Sequence, residues 1–271
     1  MAKAEKVLVY RHSAVTRLTH WINVLAVSLL ILSGLQIFNA HPALYWGQKS
    51  HFAEPWVSMT AQQKGDQTIG VTKIGSLKIE TTGLLGWSGK PGMREARGFP
   101  AWATIPSFRD LADGRRWHFF FAWLFVINGI VYWVMSLVNG HARKDLAPTK
   151  ADLAPRNVWH EMVTHAPLRF PQVRQYNVLQ KGAYLAAAAI LLPLMVGTGL
   201  TMSPGFDAAA PWLLDLFGGR QSARTIHFIT ASLVVAFIVV HLVMVLVSGV
   251  WNNIRSMITG RYAIEVEGDR P

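Results

Sequence analysis

Residues 226–250 read IHFITASLVVAFIVVHLVMVLVSGV. The run contains no Asp, Glu, Lys or Arg, and its two histidines, His227 and His241, lie fourteen residues apart. At ~1.5 Å per residue that spacing is ~21 Å along a helix axis, and at about 3.6 residues per turn fourteen steps fall ~40° short of four turns. Both rings therefore leave nearly the same helix face. One face of one membrane helix carries two imidazoles, one near each edge of a ~30 Å hydrocarbon layer. Two b haems, one per leaflet, need that arrangement. Two polar residues hydrogen-bonded inside a bundle is the simpler alternative, and this run alone leaves both open.

The rest of the chain extends the membrane reading. It has 271 residues, 51% hydrophobic and only 15% charged, where soluble domains average about 25% charged. Three further runs lack Asp, Glu, Lys and Arg: Trp21 to Phe38, Trp117 to Val138 and Gly182 to Met202. Each is long enough to span a bilayer as a helix. The expected fold is all-α and integral to the membrane, a four-transmembrane-helix bundle with a long first periplasmic loop, forming a single domain over residues 1–271. The absence of cysteine excludes disulfides, thiolate iron–sulfur ligation and c-type haem attachment. The net charge of +11 is explained by cationic ends of spans, so no nucleic-acid partner is expected. The first run begins only at Trp21, without a small-x-small cleavage pattern, so the first helix is expected to be retained.

Charge fixes the expected topology. Residues 1–20 carry Lys3, Lys6, Arg11 and Arg17 against Glu5, which places the N-terminus in the cytoplasm. The basic connection from Asn139 to Lys181 and the tail with Arg255 and Arg261 then fall on the same side, so both termini are expected to be cytoplasmic. The first outer loop, Asn39 to Arg116, is too long for a simple connector. Its glycines and prolines, with Trp87, Phe99, Trp102 and Phe108, suggest a folded cap on the outer surface, with a hairpin over Gly70 to Thr82. In the third span Pro193 predicts a kink, and Gly197-Thr198-Gly199 permits close approach of a helix or a flat cofactor. Trp46, Trp117, Trp212 and Trp251 fall at expected membrane interfaces.

Four histidines sort by depth. His20 opens the first span at the cytoplasmic edge, His118 and His227 open the second and fourth at the outer edge, and His241 lies toward the cytoplasm. His118 with His227, and His20 with His241, thus supply two axial imidazoles at each of two levels, as two haem b groups require. His12, His41, His51, His141, His160 and His165 fall in loops or tails. Haem propionates favour cations at the membrane surface: Arg17 and Lys181 near the inner pair, and Arg115, Arg116 and Arg224 near the outer pair, where interfacial anchoring explains any single one equally well. Gly34 and Gly129 either relieve crowding against a porphyrin or pack a helix. The stretch Tyr176-Asn177-Val178-Leu179-Gln180-Lys181 precedes the third span. Asn177 and Gln180 share a helical face, placed to hydrogen-bond a quinone carbonyl, to form a helix-capping box, or both.

This pattern resembles the bacterial di-haem cytochrome b membrane subunits of formate dehydrogenase, nickel–iron hydrogenase and thiosulfate reductase. The residues that carry the resemblance are His20 in Arg17-Leu18-Thr19-His20-Trp21, His118 in Arg116-Trp117-His118, and His227 with His241. The Tyr-Asn-x-x-Gln-Lys stretch is similar to the segment before the third helix of the formate dehydrogenase subunit. The resemblance implies a bacterial inner-membrane protein with haem iron bound by the four histidines. It also implies a quinone, menaquinone or ubiquinone, bordered by Asn177, Gln180 and His241. The long first loop looks more like the thiosulfate-reductase branch, which implies a periplasmic molybdopterin-type redox subunit as partner.

The leading expectation is an electron carrier between the quinone pool and that partner. A stand-alone haem b quinone oxidoreductase acting on a small oxidant such as superoxide is one alternative, though a small cap would suit it better. A transporter with a histidine proton relay is another, against which stands the lack of intramembrane carboxylates.

Overall fold

The computed structural model describes residues 5–140, 142–143, 147–149, 152–165 and 178–266. Strand β1 (Glu5–Tyr10) leads into helix α1 (Ala14–Phe38). Strands β2 (Ala43–Leu44), β3 (Val57–Lys64), β4 (Gln67–Ile74), β5 (Leu77–Glu80), β6 (Gly86–Ser88) and β7 (Glu95–Arg97) follow. Next come α2 (Leu111–Val138) and α3 (Pro155–His165). A long helix, Val178–Leu200, is composed of α4 (Val178–Leu185), a π-helical stretch (Ala186–Leu191) and α5 (Leu192–Leu200). Short helices α6 (Pro204–Ala209) and α7 (Pro211–Leu216) precede α8 (Arg220–Val247), α9 (Val250–Thr259) and β8 (Arg261–Val266).

Four helices, Ala14–Phe38, Leu111–Val138, Val178–Leu200 and Arg220–Val247, are long and apolar enough to cross a membrane. Their ends depart from the apolar runs for local reasons. Ser13 Oγ accepts the Thr16 N–H at 3.1 Å, and Asp110 Oδ1 accepts the Asp113 N–H at 2.9 Å. These are N-caps, which satisfy first-turn donors and start α1 and α2 before Trp21 and Trp117. The fourth helix stops at Val247 rather than Val250, because Gly249 takes a left-handed backbone with φ 106°. At Pro193 the break is a change of winding. Proline has no N–H for the carbonyl four residues back, and the Leu192 N–H reaches Ala187 O, five residues back. The π stretch absorbs the register error there.

The expectation of an all-α chain is corrected by eight strands among the described residues. Most of these strands are short or part-polar, so beyond residues 70–82 they carry little signal beside the apolar runs.

The chain forms two compact units. The first comprises Asn23–Val126 and Leu194–Ala231. Within it β2-β3-β4-β5 form an antiparallel sheet and β6 pairs with β7. The hairpin expected over residues 70–82 is β4–β5, with Val71 opposite Glu80 and Ile74 opposite Leu77. Buried Phe38, Leu44, Val57 and Met59 form a core, backed by Trp56, Leu85, Phe99 and Phe228. Apolar residues at the C-terminal end of α1 and the N-terminal end of α8 thus hold the first strands of the sheet. Gly86 lies against β3, where a Cβ would sit 2.6 Å from Thr60 O, so only glycine fits.

Polar groups fasten the same segment. Arg97, 2% exposed, reaches Glu95 Oε1 (2.6 Å), Ser107 O (3.0 Å), Thr104 Oγ1 (2.9 Å) and Gln36 Oε1 (3.4 Å). Thr225 Oγ1 donates to Tyr45 O at 2.6 Å, and Ser222 Oγ accepts the Gly47 N–H at 2.7 Å.

The second unit comprises Met1–Ile22, Ile127–Pro193 and Ser232–Pro271. Here β1 pairs antiparallel with β8, from Glu5 opposite Val266 to Tyr10 opposite Arg261. Asn252 in α9 bonds both backbone groups of Ala263, each at 2.9 Å. Trp21 Nε1 donates to Met257 O at 3.0 Å, and Arg17 donates to Ile258 O. The guanidinium of Arg11 lies 4.4 Å from the Tyr262 ring centroid, a cation–π contact.

Replacing Arg97 with Ala leaves buried acceptors without their donor, so the protein should lose about 2–4 kcal/mol of stability. Arg97→Lys should recover little of it, since an ammonium cannot reproduce the planar fork. Thermal unfolding of the detergent-solubilised variants checks both; wild-type stability in Arg97→Ala would refute the anchoring role.

Candidate functional site

The four histidines expected to act together form two close pairs, each inside one unit. In the second unit the ring centroids of His20 on α1 and His241 on α8 are 6.3 Å apart, with planes at 62°. In the first unit those of His118 on α2 and His227 on α8 are 6.4 Å apart, with planes at 66°. Two metal–nitrogen bonds of ~2 Å and two ring half-widths of ~1.2 Å put opposed axial imidazoles ~6.4 Å apart, centre to centre. A direct ring–ring hydrogen bond would bring the rings to about 5 Å. Both spacings therefore match a pair bridged by one iron. Among the described residues no group of three or more His, Cys, Asp or Glu side chains converges. Two opposed ligands suit a metal whose remaining positions are already filled by a macrocycle.

The first-unit pair is held in detail. His118 Nδ1 lies 3.1 Å from Ser33 Oγ on α1, and His227 Nδ1 lies 3.0 Å from Thr198 Oγ1 on α5. Next to each hydroxyl is a glycine. A Cβ on Gly34 would sit 3.4 Å from His118 Cε1, and one on Gly199 would sit 3.4 Å from His227 Cε1. Gly34 on α1 thus packs against a side chain of α2, in keeping with the helix-packing alternative. Gly197 packs on Phe217, where a Cβ would be 3.4 Å from Cζ, while nothing lies within 4 Å of a Cβ placed on Gly129. In the other pair, Phe237 stacks on His241 at 6.0 Å and 15°, and Trp21 meets His20 edge-on at 5.5 Å.

The remaining expected site residues are placed as follows. Asn177 lies outside the described residues, as does His141. Gln180 lies on α4, at the start of the third long helix. Lys181 bonds Asp152 Oδ2 at 2.8 Å. Arg17 donates to Ile258 O. Arg116 pairs at 3.0 Å with Asp113 on the surface. Arg224 directs Nη1 to Ala43 O (2.8 Å) and Nη2 to His41 O (2.5 Å), so its terminal nitrogens secure the β2 segment. Arg17, Lys181, Arg116 and Arg224 each thus have a protein partner. His41 stacks on Tyr45 and contacts its hydroxyl at 3.0 Å. Burial, and then the Arg224 charge, push its pKa below the usual histidine value, favouring the neutral ring.

Ser33 and Phe237 were not singled out from sequence, and Thr198 only as part of Gly197-Thr198-Gly199. The available signal was a hydroxyl–glycine dipeptide, Ser33-Gly34 and Thr198-Gly199, repeated on two spans.

The fold is that of a membrane helical protein that carries two histidine pairs. The sequence profile of the family described as prokaryotic cytochrome b561 matches residues 11–260, and the chain belongs to that family. It is therefore a bacterial membrane cytochrome b, a haem b electron-transfer protein. It is similar to a protein of Azospira oryzae assigned as a protein-methionine-sulfoxide reductase subunit, YedZ1, with 29% identity over 240 residues, 86% of this chain and 89% of that one. No solved structure matches the chain.

The Lys181 hydrogen bond, then the Thr149 backbone N–H, hold the Asp152 carboxyl down at about 2. A depressed carboxylate pKa stabilises the fold above the unfolded value of ~3.9, and the contribution is lost as pH falls from there toward the folded pKa. The Lys181–Asp152 pair should thus persist at neutral pH and open between about pH 4 and 2. Asp152→Asn should raise acylation of Lys181 by an amine reagent at pH 8, read by peptide mass spectrometry. Equal labelling in variant and wild type would show that the pair does not hold in solution.

Proposed function

We propose that this chain is a di-haem membrane subunit that passes electrons from a quinol to a redox partner protein. The observation that carries the reading is the match of both histidine pairs to the spacing of axial imidazoles around one iron. His20 with His241 holds one haem and His118 with His227 the other. Haem b bound in this way supplies reversible one-electron storage with no ligand exchange. The chain's own residues fix the imidazoles, keep each site inside apolar helices, and place both sites along one helix, α8.

Both termini and the 139–181 connection face the cytoplasm of a bacterial inner membrane, and residues 39–116 face the periplasm, as the distribution of Lys and Arg favours. The quinone, menaquinone or ubiquinone, lies by His241, Gln180 and Asn177. The sheet-bearing segment between α1 and α2 gives the partner a folded surface. By analogy with the Azospira relative, that partner reduces protein methionine sulfoxide, and the resemblance of the haem pattern favours a molybdopterin-type subunit. The stoichiometry closes: a quinol gives up two electrons and two protons, and a sulfoxide takes up two of each to give thioether and water.

Pyridine haemochrome analysis of purified protein should give two b haems per chain. Each of His20→Ala, His241→Ala, His118→Ala and His227→Ala should remove one. Two haems retained in His227→Ala would exclude the His118–His227 site.

A further inference from the structure

The two histidines of the first-unit pair are held by the same device on different helices. Ser33 on α1 has one hydroxyl proton, and it is directed to Leu29 O at 2.6 Å. Thr198 on α5 directs its proton to Leu194 O at 2.7 Å. With that proton committed, each hydroxyl faces its histidine as an acceptor, so Nδ1 must donate. Each imidazole is thereby fixed as the Nδ1–H tautomer, and its Nε2 lone pair is left for a metal. The adjacent glycine lies against the ring: a Cβ on Gly34 or Gly199 would come into van der Waals contact with Cε1 at 3.4 Å. Ser33 is fully buried, as is Thr198, so water does not compete for either contact. The other pair is built differently. Among the described residues neither His20 nor His241 makes a hydrogen bond, and aromatic contacts from Trp21 and Phe237 take that place.

We propose that Ser33-Gly34 and Thr198-Gly199 are a matched pair of imidazole clamps that set the ligand tautomer, and with it the reduction potential, of the His118–His227 haem alone. The inference rests on the di-haem reading. An Nδ1–H that donates to an acceptor makes Nε2 a stronger electron donor. Stronger donation favours ferric over ferrous iron and lowers the potential. Two clamps act on one iron from opposite sides, and none acts on the other. Ser33 and Thr198 are positioning residues: they touch the ligands, not the iron.

The test uses full-length purified protein, with spectroelectrochemical titration and haem quantitation as readouts. Ser33→Ala and Thr198→Val should each favour the ferrous form of one haem by about threefold, and the double variant by about tenfold, an upward shift of ~59 mV for a one-electron couple. The other haem's potential should not move. Ser33→Thr with Thr198→Ser keeps both hydroxyls and should titrate as wild type. Should the double variant lose one haem, retention of that haem in the hydroxyl-keeping pair still supports the clamp. An unchanged potential with both haems bound overturns it, as does loss of haem from both double variants, which would make packing rather than the hydroxyls responsible. A separate result, full haem content in both His118→Ala and His227→Ala, would instead overturn the di-haem reading beneath it.

Discussion

A neutral imidazole inside a hydrocarbon layer is a polar group with two nitrogens to satisfy, and each nitrogen needs a different kind of partner. Around His118 and His227 the Nδ1 side is closed by a hydroxyl whose proton is already given to the helix backbone. That leaves one lone pair per ring, in a pair whose centroids are 6.4 Å apart, wider than a ring–ring hydrogen bond would hold them. Much else in the first unit follows from holding that spacing. α1 brings Ser33 and Gly34 against α2, and α5 brings Thr198 and Gly199 against α8. Serine and threonine suit this duty because their hydroxyls bond the carbonyl four residues back without breaking the helix. The glycine beside each hydroxyl lies against the same ring.

The third long helix shows a related economy. Pro193 cannot donate to the preceding turn, and the chain responds by widening one stretch to a π register. π stretches are rare and tend to occur at functional positions. This one lies between α4, which starts with Gln180 and Lys181, and α5, which carries the clamp on His227.

The histidine pairs were legible in the sequence because helix geometry is regular. A fourteen-residue spacing in an uncharged run fixes face and depth together, and His20 and His118 at the heads of other runs complete the levels. The four spans were legible for the same reason. The partners of Arg17, Arg224 and Lys181 were not. An arginine near a membrane edge is placed by its sequence neighbours, but whether it meets a propionate or a backbone carbonyl depends on chain distant in sequence: Ile258 for Arg17, and His41 with Ala43 for Arg224. The β1–β8 pairing was hidden likewise. Glu5–Tyr10 and Arg261–Val266 are short and half polar, and neither shows its partner until both are placed. Ser33 and Thr198 were visible but uninformative alone, since a hydroxyl in a span usually bonds its own helix, as both of these do. Their second contact is what matters, and it is a tertiary one.

The pairing of β1 with β8 carries a consequence for the order in which the protein is made. Every residue of the unit that holds His118 and His227 is synthesised before β8 is begun. The unit that holds His20 and His241 waits for β8, so β1 stays an open strand edge until β8 is made. The segments around one histidine pair are thus all made before β8, whereas the unit around the other is complete only with it, and until then the nascent N-terminal strand is open to mispairing.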